Sequence, residues 1–247
     1  MRIRYLLLIT VLLLVIFSLP AAADPVMVLV REREERTFAE DGENELLNCY
    51  YKNAIVKIDG NPDAENAVNS RLETLENEFA ADWPRPVGEQ IEFRQTALDS
   101  GMEWQPWYRV EIRRELTAER ADDAVISFKV YDYTYTGGAH GMYAITGIQF
   151  DTKTGKELML ADLSEDPAAL RDILTNEIIE QCQKVEGLWW YDEESLRPQI
   201  EAIVDRDSWY LTDEDIVFHS TPYELGPYAV GAIEFIIPYE NLPAMNY

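Results

Sequence analysis

The sequence predicts an α+β fold: an antiparallel sheet with helices segregated to one face, in two closely packed sub-domains. Three observations carry this reading. Two capped helical stripes, at 61–81 and 166–185, stand far apart in the chain rather than alternating with single strands. Between them lie consecutive runs of period-two alternation joined by short polar turns. The stretch Tyr131 to Gly141 (Tyr-Asp-Tyr-Thr-Tyr-Thr-Gly-Gly-Ala-His-Gly) closes one such run and turns on glycine into the next.

Residues 1–23 read as a secretory signal peptide. Arg2 and Arg4 form a basic start, Tyr5 to Leu19 is apolar, Pro20 breaks the run, and Ala21-Ala22-Ala23 supplies small residues before a cleavage expected at Asp24. The other reading is an uncleaved N-terminal membrane anchor, for which the run is short, since a bilayer core needs ~20 apolar residues. Residues 24–45 form an irregular leader. Arg31-Glu-Arg-Glu-Glu-Arg36 has little to bury, so this stretch is either frayed or a weak first strand.

Residues 46–86 read as a small N-terminal α+β sub-domain and 87–247 as a larger second one. Leu46 to Ile58 suits a strand, and Asp59-Gly60-Asn61-Pro62 a turn. Asn61 or Asp63 caps the following helix, whose Ala64, Ala67, Val68, Leu72, Leu75 and Phe79 share one face. Asp82-Trp83-Pro84-Arg85-Pro86 ends it, because proline cannot continue a helix, and marks the seam between sub-domains. Strands are expected at Glu89–Ala97, Tyr108–Leu116 and Ala124–Tyr135. In the last, Ile126, Phe128 and Val130 share one face, and Tyr131, Tyr133 and Tyr135 the other. Either a bulge shifts the register or both faces are covered near the turn. Met142–Phe150 returns antiparallel, and the Asp151–Gly155 loop leads to a partner strand at Glu157–Leu160.

Asp166-Pro167 opens a second helix, with Leu170, Ile173, Leu174, Ile178, Cys182 and Val185 as its stripe and Gly187 as its stop. Leu188-Trp189-Trp190-Tyr191 is an aromatic cluster, and Ser195–Val204 a shorter helix. Trp209–Leu211, Ile216–His219 and Ala229–Ile237 read as closing strands.

The formal charge is −25, and loss of the signal's two arginines takes it to −27. Nucleic acid is disfavoured, and none is expected as a partner, because phosphate binding needs a basic footprint. The same charge steers basic partners inward, or simply keeps an exported protein soluble. Cys49 and Cys182 either pair, a bridge worth ~4–5 kcal/mol in the chain-entropy account, or remain separate buried thiols. With His140 and His219 they are too few and too scattered for a zinc site, and neither metal nor cofactor is expected.

Gly137-Gly138-Ala139-His140-Gly141 resembles a phosphate cradle only superficially, since a strand rather than a helix follows. Its reading is a structural turn: glycines adopt backbone angles closed to other residues, and His140 bonds locally. The residues nominate no nucleophile and orienting acid for His140, so no catalytic residue is assigned. Tyr131, Tyr133 and Tyr135 either line a groove or pack under a helix. Tyr223 to Tyr228, held between Pro222 and Pro227, offers rigid aromatics suited to an interface. Asp213-Glu214-Asp215 reads as a solvated turn, lacking the spaced ligands of a calcium loop.

Several stretches together resemble a known family. They are Tyr133–Gly141, Phe150-Asp-Thr-Lys-Thr-Gly-Lys-Glu-Leu158, Leu160-Ala-Asp-Leu163, Pro222-Tyr-Glu-Leu-Gly-Pro-Tyr-Ala-Val-Gly231 and Phe235-Ile-Ile-Pro-Tyr-Glu-Asn-Leu242. From Tyr108 to Leu242 the chain is similar to the RsiV-like extracytoplasmic domain, shared by a lysozyme-sensing anti-sigma factor and PdaC-type peptidoglycan deacetylases. Residues 46–83 resemble its usual smaller companion domain. The resemblance implies an exported α+β fold of the bacterial envelope. An anti-sigma role needs a cytoplasmic segment, and only Met1–Arg4 precede the apolar run. A deacetylase role needs a separate module with an Asp/His metal site, for which this chain has no room. The expectation is therefore a secreted or envelope-retained, non-catalytic binding protein. Its partner is a basic protein of the lysozyme type or a cell-wall glycan, met by Tyr131, Tyr133, Tyr135, Tyr223, Pro227 and Tyr228. The alternative is an envelope protein acting on glycan.

Overall fold

A computed structural model describes residues 25–103, 105, 109–189, 192–206 and 208–247. The segment read as a signal peptide lies outside the described residues, as do Tyr108, Trp190 and Tyr191. The chain order is β1 (Val26–Phe38), β2 (Glu45–Ile58), α1 (Pro62–Asp82), α2 (Pro84–Asp99), β3 (Val110–Ala121), β4 (Val125–Tyr135), β5 (Met142–Asp151), α3 (Pro167–Cys182), α4 (Glu193–Val204), β6 (Trp209–Leu211), β7 (Asp215–His219) and β8 (Glu234–Pro238). The fold class is α+β, with a five-stranded sheet ordered β1-β2-β3-β4-β5 and a three-stranded sheet ordered β6-β7-β8.

The larger sheet is mixed rather than wholly antiparallel, because β2 and β3 run parallel from Leu47↔Val110 to Lys52↔Glu115. A parallel pair needs a long crossover, and α1 and α2 provide it. Asn61 caps α1 through its Oδ1, which accepts from the Ala64 N–H, with Pro62 in the first turn. Ala64, Val68 and Leu72 then pack onto Ile126, Phe128, Ile148 and Phe150 of the sheet.

Four expectations are corrected. Of the two readings of the leader 24–45, the irregular one is corrected and the first strand holds, since most of it is the long edge strand β1. Its arginines find partners outside the strand: Arg31 and Arg33 reach Glu76 of α1 at 2.7 and 3.3 Å. Residues 89–97 are helix, not strand. Pro84 ends α1 but sits in the first turn of α2, where its missing N–H costs nothing. Val87 and Ile91 then face the sheet, with Arg94 buried one turn on. Residues 82–86 therefore join two helices, and one sheet runs on both sides of them. Glu157 makes a single bridge to Phe150, and Leu160–Leu163 is a 3-10 turn in place of the expected strand. The last strand starts at Glu234, after a 3-10 turn at Tyr228–Val230.

No bulge separates Val130 from Tyr131, because β4 pairs with β5 without a shift from Val125 to Thr134. The two faces of β4 are therefore continuous. The even positions, Ile126, Phe128 and Val130, lie under α1. The odd positions change character along the strand. Val125 and Ser127 are fully buried beneath the C-terminal region, while Tyr131, Tyr133 and Tyr135 are half-buried.

The C-terminal region has its own core, where α3 and α4 cover one face of β6–β8. Leu170, Leu174, Ile178, Ile200 and Ile203 meet Trp209, Leu211, Phe218, Phe235 and Ile237 there. Its sheet presents the free edge of β6 to the larger sheet. Gln149 Nε2 donates to the Trp209 carbonyl at 2.8 Å, and Ser127 Oγ accepts from the Leu211 N–H at 2.8 Å. Gly147 admits this approach, since a Cβ there would fall 1.6 Å from the Trp209 oxygen.

Cys49 and Cys182 are both free and buried, in different cores, so the bridge does not form. Burial pushes the Cys49 thiol up to about 12 and the Cys182 thiol up to about 11.

Two outcomes follow from this packing. Gln149→Ala leaves a buried carbonyl unsatisfied and should lower unfolding free energy by ~1–3 kcal/mol in denaturant titration. Both thiols should resist a maleimide reagent in the native protein and label fully in denaturant, with reductant leaving the melting temperature unchanged.

Candidate functional site

The half of the larger sheet left uncovered by the C-terminal region is a tyrosine floor. Three cross-strand rows build it. Tyr50, Arg113, Tyr133 and Tyr143 form the first; Lys52, Glu115, Tyr131 and Ile145 the second; Asn48, Glu111 and Tyr135 the third. Directly opposed side chains on one face are neighbours, so each row is a line of contacts. The Arg113 guanidinium sits 5.5 Å from the Tyr50 ring centre, and Tyr131 and Tyr143 lie 5.8 Å apart. Partial burial raises the Tyr131 and Tyr133 hydroxyls above the usual tyrosine range. Burial, helped by Glu32, pushes Tyr50 up to about 12.

One wall comes from a segment remote in sequence. The Tyr228 ring stacks on His140, with centres 3.6 Å apart and planes 14° from parallel. Tyr228 Oη donates to the Gly141 carbonyl at 3.0 Å. His140 Nδ1 lies 3.1 Å from the same carbonyl, and Nε2 lies 3.1 Å from Tyr223 Oη. A carbonyl only accepts, so Nδ1 carries the proton and, in the neutral ring, Nε2 accepts from Tyr223. Tyr143 Oη accepts from the Ala232 N–H at 2.9 Å, fastening the same segment further along. The expected local bond of His140 is present, and it is accompanied by a long-range one.

Glycine is needed at this corner for two reasons. Gly137 and Gly138 have φ of 110° and 99°, closed to most side chains. At Gly141 a Cβ would lie 2.5 Å from the Tyr133 ring. Tyr135 Oη donates to the Gly138 carbonyl at 3.0 Å. Tyr223 is the non-glycine residue with positive φ among the described residues, at 69°. Such strain persists only where the surroundings hold it, and it concentrates at functional positions. Tyr223 is 44 % exposed.

The structure thus brings Tyr131, Tyr133, Tyr135, Tyr223 and Tyr228 to one surface, around the His140 corner, with Pro227 exposed on the wall. Cys49 and Cys182 have no role in it. Sequence reasoning missed Tyr50, Arg113 and Tyr143. Tyr143 had a signal, because a tight turn at 136–141 sets it opposite Tyr133; Tyr50 and Arg113 needed the parallel pairing. It also missed Arg94 of α2, which is buried and donates to the Thr136 carbonyl at 2.9 Å, propping the corner from below. Among the described residues, no three His, Cys, Asp or Glu side chains gather as metal ligands, and no helix is long and apolar enough to cross a membrane.

Comparison with known proteins places two matches along the chain. Residues 40–143 match the family described as Deacetylase PdaC, and residues 161–240 match Protein of unknown function (DUF3298). The Tyr133–Gly141 motif falls in the first match and the Tyr223–Tyr228 wall in the second. A crystal structure of a DUF3298 family member from Bacteroides fragilis shares 20% identity, with a TM-score of 0.62, over 88% of this chain and 92% of that one. A DUF3298 family protein from Pseudomonas aeruginosa PAO1 shares 18% identity, with a TM-score of 0.52, over 91% and 94%. At these identities the likeness is one of fold. No curated protein matches the chain.

Behind the wall sits His219, 4% exposed, stacked on Tyr210, with Nε2 3.6 Å from Glu234 Oε1. Burial, and then Lys129 across the interface, depress its pKa to about 4. Its unfolded counterpart titrates near 6.5, so the unfolded chain binds the extra proton first. The stability tied to neutral His219 is complete above about pH 6.5 and is lost as pH falls toward 4, roughly 3 kcal/mol in all. Unfolding free energy measured across that window should fall in the parent protein, and His219→Phe should flatten the fall.

Proposed function

We infer, from the premise that this chain joins a PdaC-type domain to a DUF3298 domain, that it is an exported binding protein of the bacterial cell envelope working without catalysis. Its partner, in this reading, is a basic protein of the lysozyme type. The observation that carries the reading is the convergence at His140. Two aromatic stretches far apart in the chain meet there, and each leaves rings on one open surface. Tyrosines of this kind offer large contact area at low entropy cost.

Charge supports the choice of partner. The chain carries a net −25, and Glu32, Glu111 and Glu115 lie beside the tyrosine rows. Long-range attraction would speed encounter with a cationic protein, and the aromatic floor would supply short-range contact. The open rings favour a second reading, a cell-wall glycan stacked along the Tyr50–Tyr133–Tyr143 row, in which charge plays little role.

Calorimetric titration with lysozyme at low and moderate salt separates the two. The first reading expects binding at low salt that weakens as salt rises, with Tyr131→Ala and Tyr223→Ala each losing about tenfold, as interface tyrosines commonly do. Absence of binding at low salt removes it. Salt-insensitive retention on purified peptidoglycan, lost in Tyr50→Ala and Tyr133→Ala, would favour the glycan.

A further inference from the structure

Beneath α1, on the sheet face opposite the tyrosines, lies a cavity of about 190 Å³. Its lining includes Leu72 and Leu75 of the helix, Leu116 of β3, Val130 of β4 and Ile148 of β5. Protein interiors leave few voids larger than a water molecule. An apolar void of about 150 Å³ stays dry and takes up a single aromatic ring. A space of this size, apolar over most of its surface and bordered by ionised side chains, has room for such a ring.

The ionised groups above that lining decide what it accepts. Arg71 pairs with Glu157 at 2.6 Å. Arg114 holds Asp132 with two bonds, 2.7 and 2.6 Å, and donates to the Leu75 carbonyl. Glu76 is held by Arg31, Arg33 and the Asn53 amide. Lys52 also borders the space, but alternation along β2 gives its side chain to the tyrosine face. A charged occupant would have to break up such a pair and leave its member buried without a counter-charge. A neutral one disturbs none of them.

The way in is also visible. Arg71 and Glu157 are each about a third exposed, at 36% and 35%, and their pair ties α1 to the segment after β5. Ion pairs this exposed hold weakly, so this corner opens more readily than the buried Glu76 end.

We propose that the cavity is a binding site for a neutral, largely apolar small molecule of one or two fused rings, entering between Arg71 and Glu157. The site is separate from the tyrosine floor and does not depend on what that floor binds.

Indole is a suitable probe, followed by methyl NMR on the intact protein. The expected result is saturable shifts at the Leu72, Val130 and Ile148 methyls. Val130→Phe and Leu75→Phe, which fill the space, should each weaken binding at least tenfold, while Tyr131→Ala leaves it unchanged. Leu75 is half-buried at the rim, so its variant carries the test should Val130→Phe fail to fold. Shifts that are absent, confined to the tyrosine face, or undiminished in a folded filling variant would overturn the proposal.

Discussion

Two hydrogen bonds decide how this molecule is put together. The outer edge of β6 presents a carbonyl at Trp209 and an N–H at Leu211, and an edge buried without partners is costly. Gln149 and Ser127, opposite one another on β5 and β4, supply those partners from within a sheet face. Gly147 leaves the room for it. A sheet edge is thus seated on a sheet face, with side chains standing in for the missing strand. This seat fixes where the C-terminal region lies. It covers the Val125 end of β4 and leaves the Tyr135 end open.

Everything in the candidate site follows from that placement. Because β7 and β8 are carried by β6, the segment between them is delivered to the glycine corner. Tyr228 and Tyr223 reach His140, and Ala232 reaches Tyr143. The positive φ of Tyr223 is what such a delivery costs locally, and the ring contacts around it hold the backbone there. The opposite face of the same sheet has a different fate. It is roofed by α1, and the roof fits closely near Val68 but loosely near Leu75.

Much of this was legible in the residues. Helices α1 and α3 declared themselves by Asn61-Pro62 and Asp166-Pro167 and by their apolar stripes. The strands around the glycine corner followed from alternation, and so did the placing of Tyr131, Tyr133 and Tyr135 on one face. What escaped was set by partners distant in sequence. Arg31-Glu-Arg-Glu-Glu-Arg36 left a frayed leader and a weak strand both open, because the Glu76 that receives its arginines is distant in sequence. Pro84 and Pro86 read as an ending because a proline-rich break looks alike whether loop or helix follows. The meeting of His140 with Tyr223 spans 83 residues and depends on the β6 seat, whose agents, Ser127 and Gln149, look like ordinary strand residues.

The parallel junction of β2 with β3 has a bearing on how the chain reaches this state. On one side of it, β1 and β2 form a hairpin; on the other, β3, β4 and β5 form a meander, each assembled from neighbours in sequence. Within the larger sheet, that junction alone requires closing a long loop through two helices, which makes it the entropically expensive pairing there. Until then the inner edges of β2 and β3 stand open, and those are the surfaces through which a half-assembled molecule would stick to its neighbours.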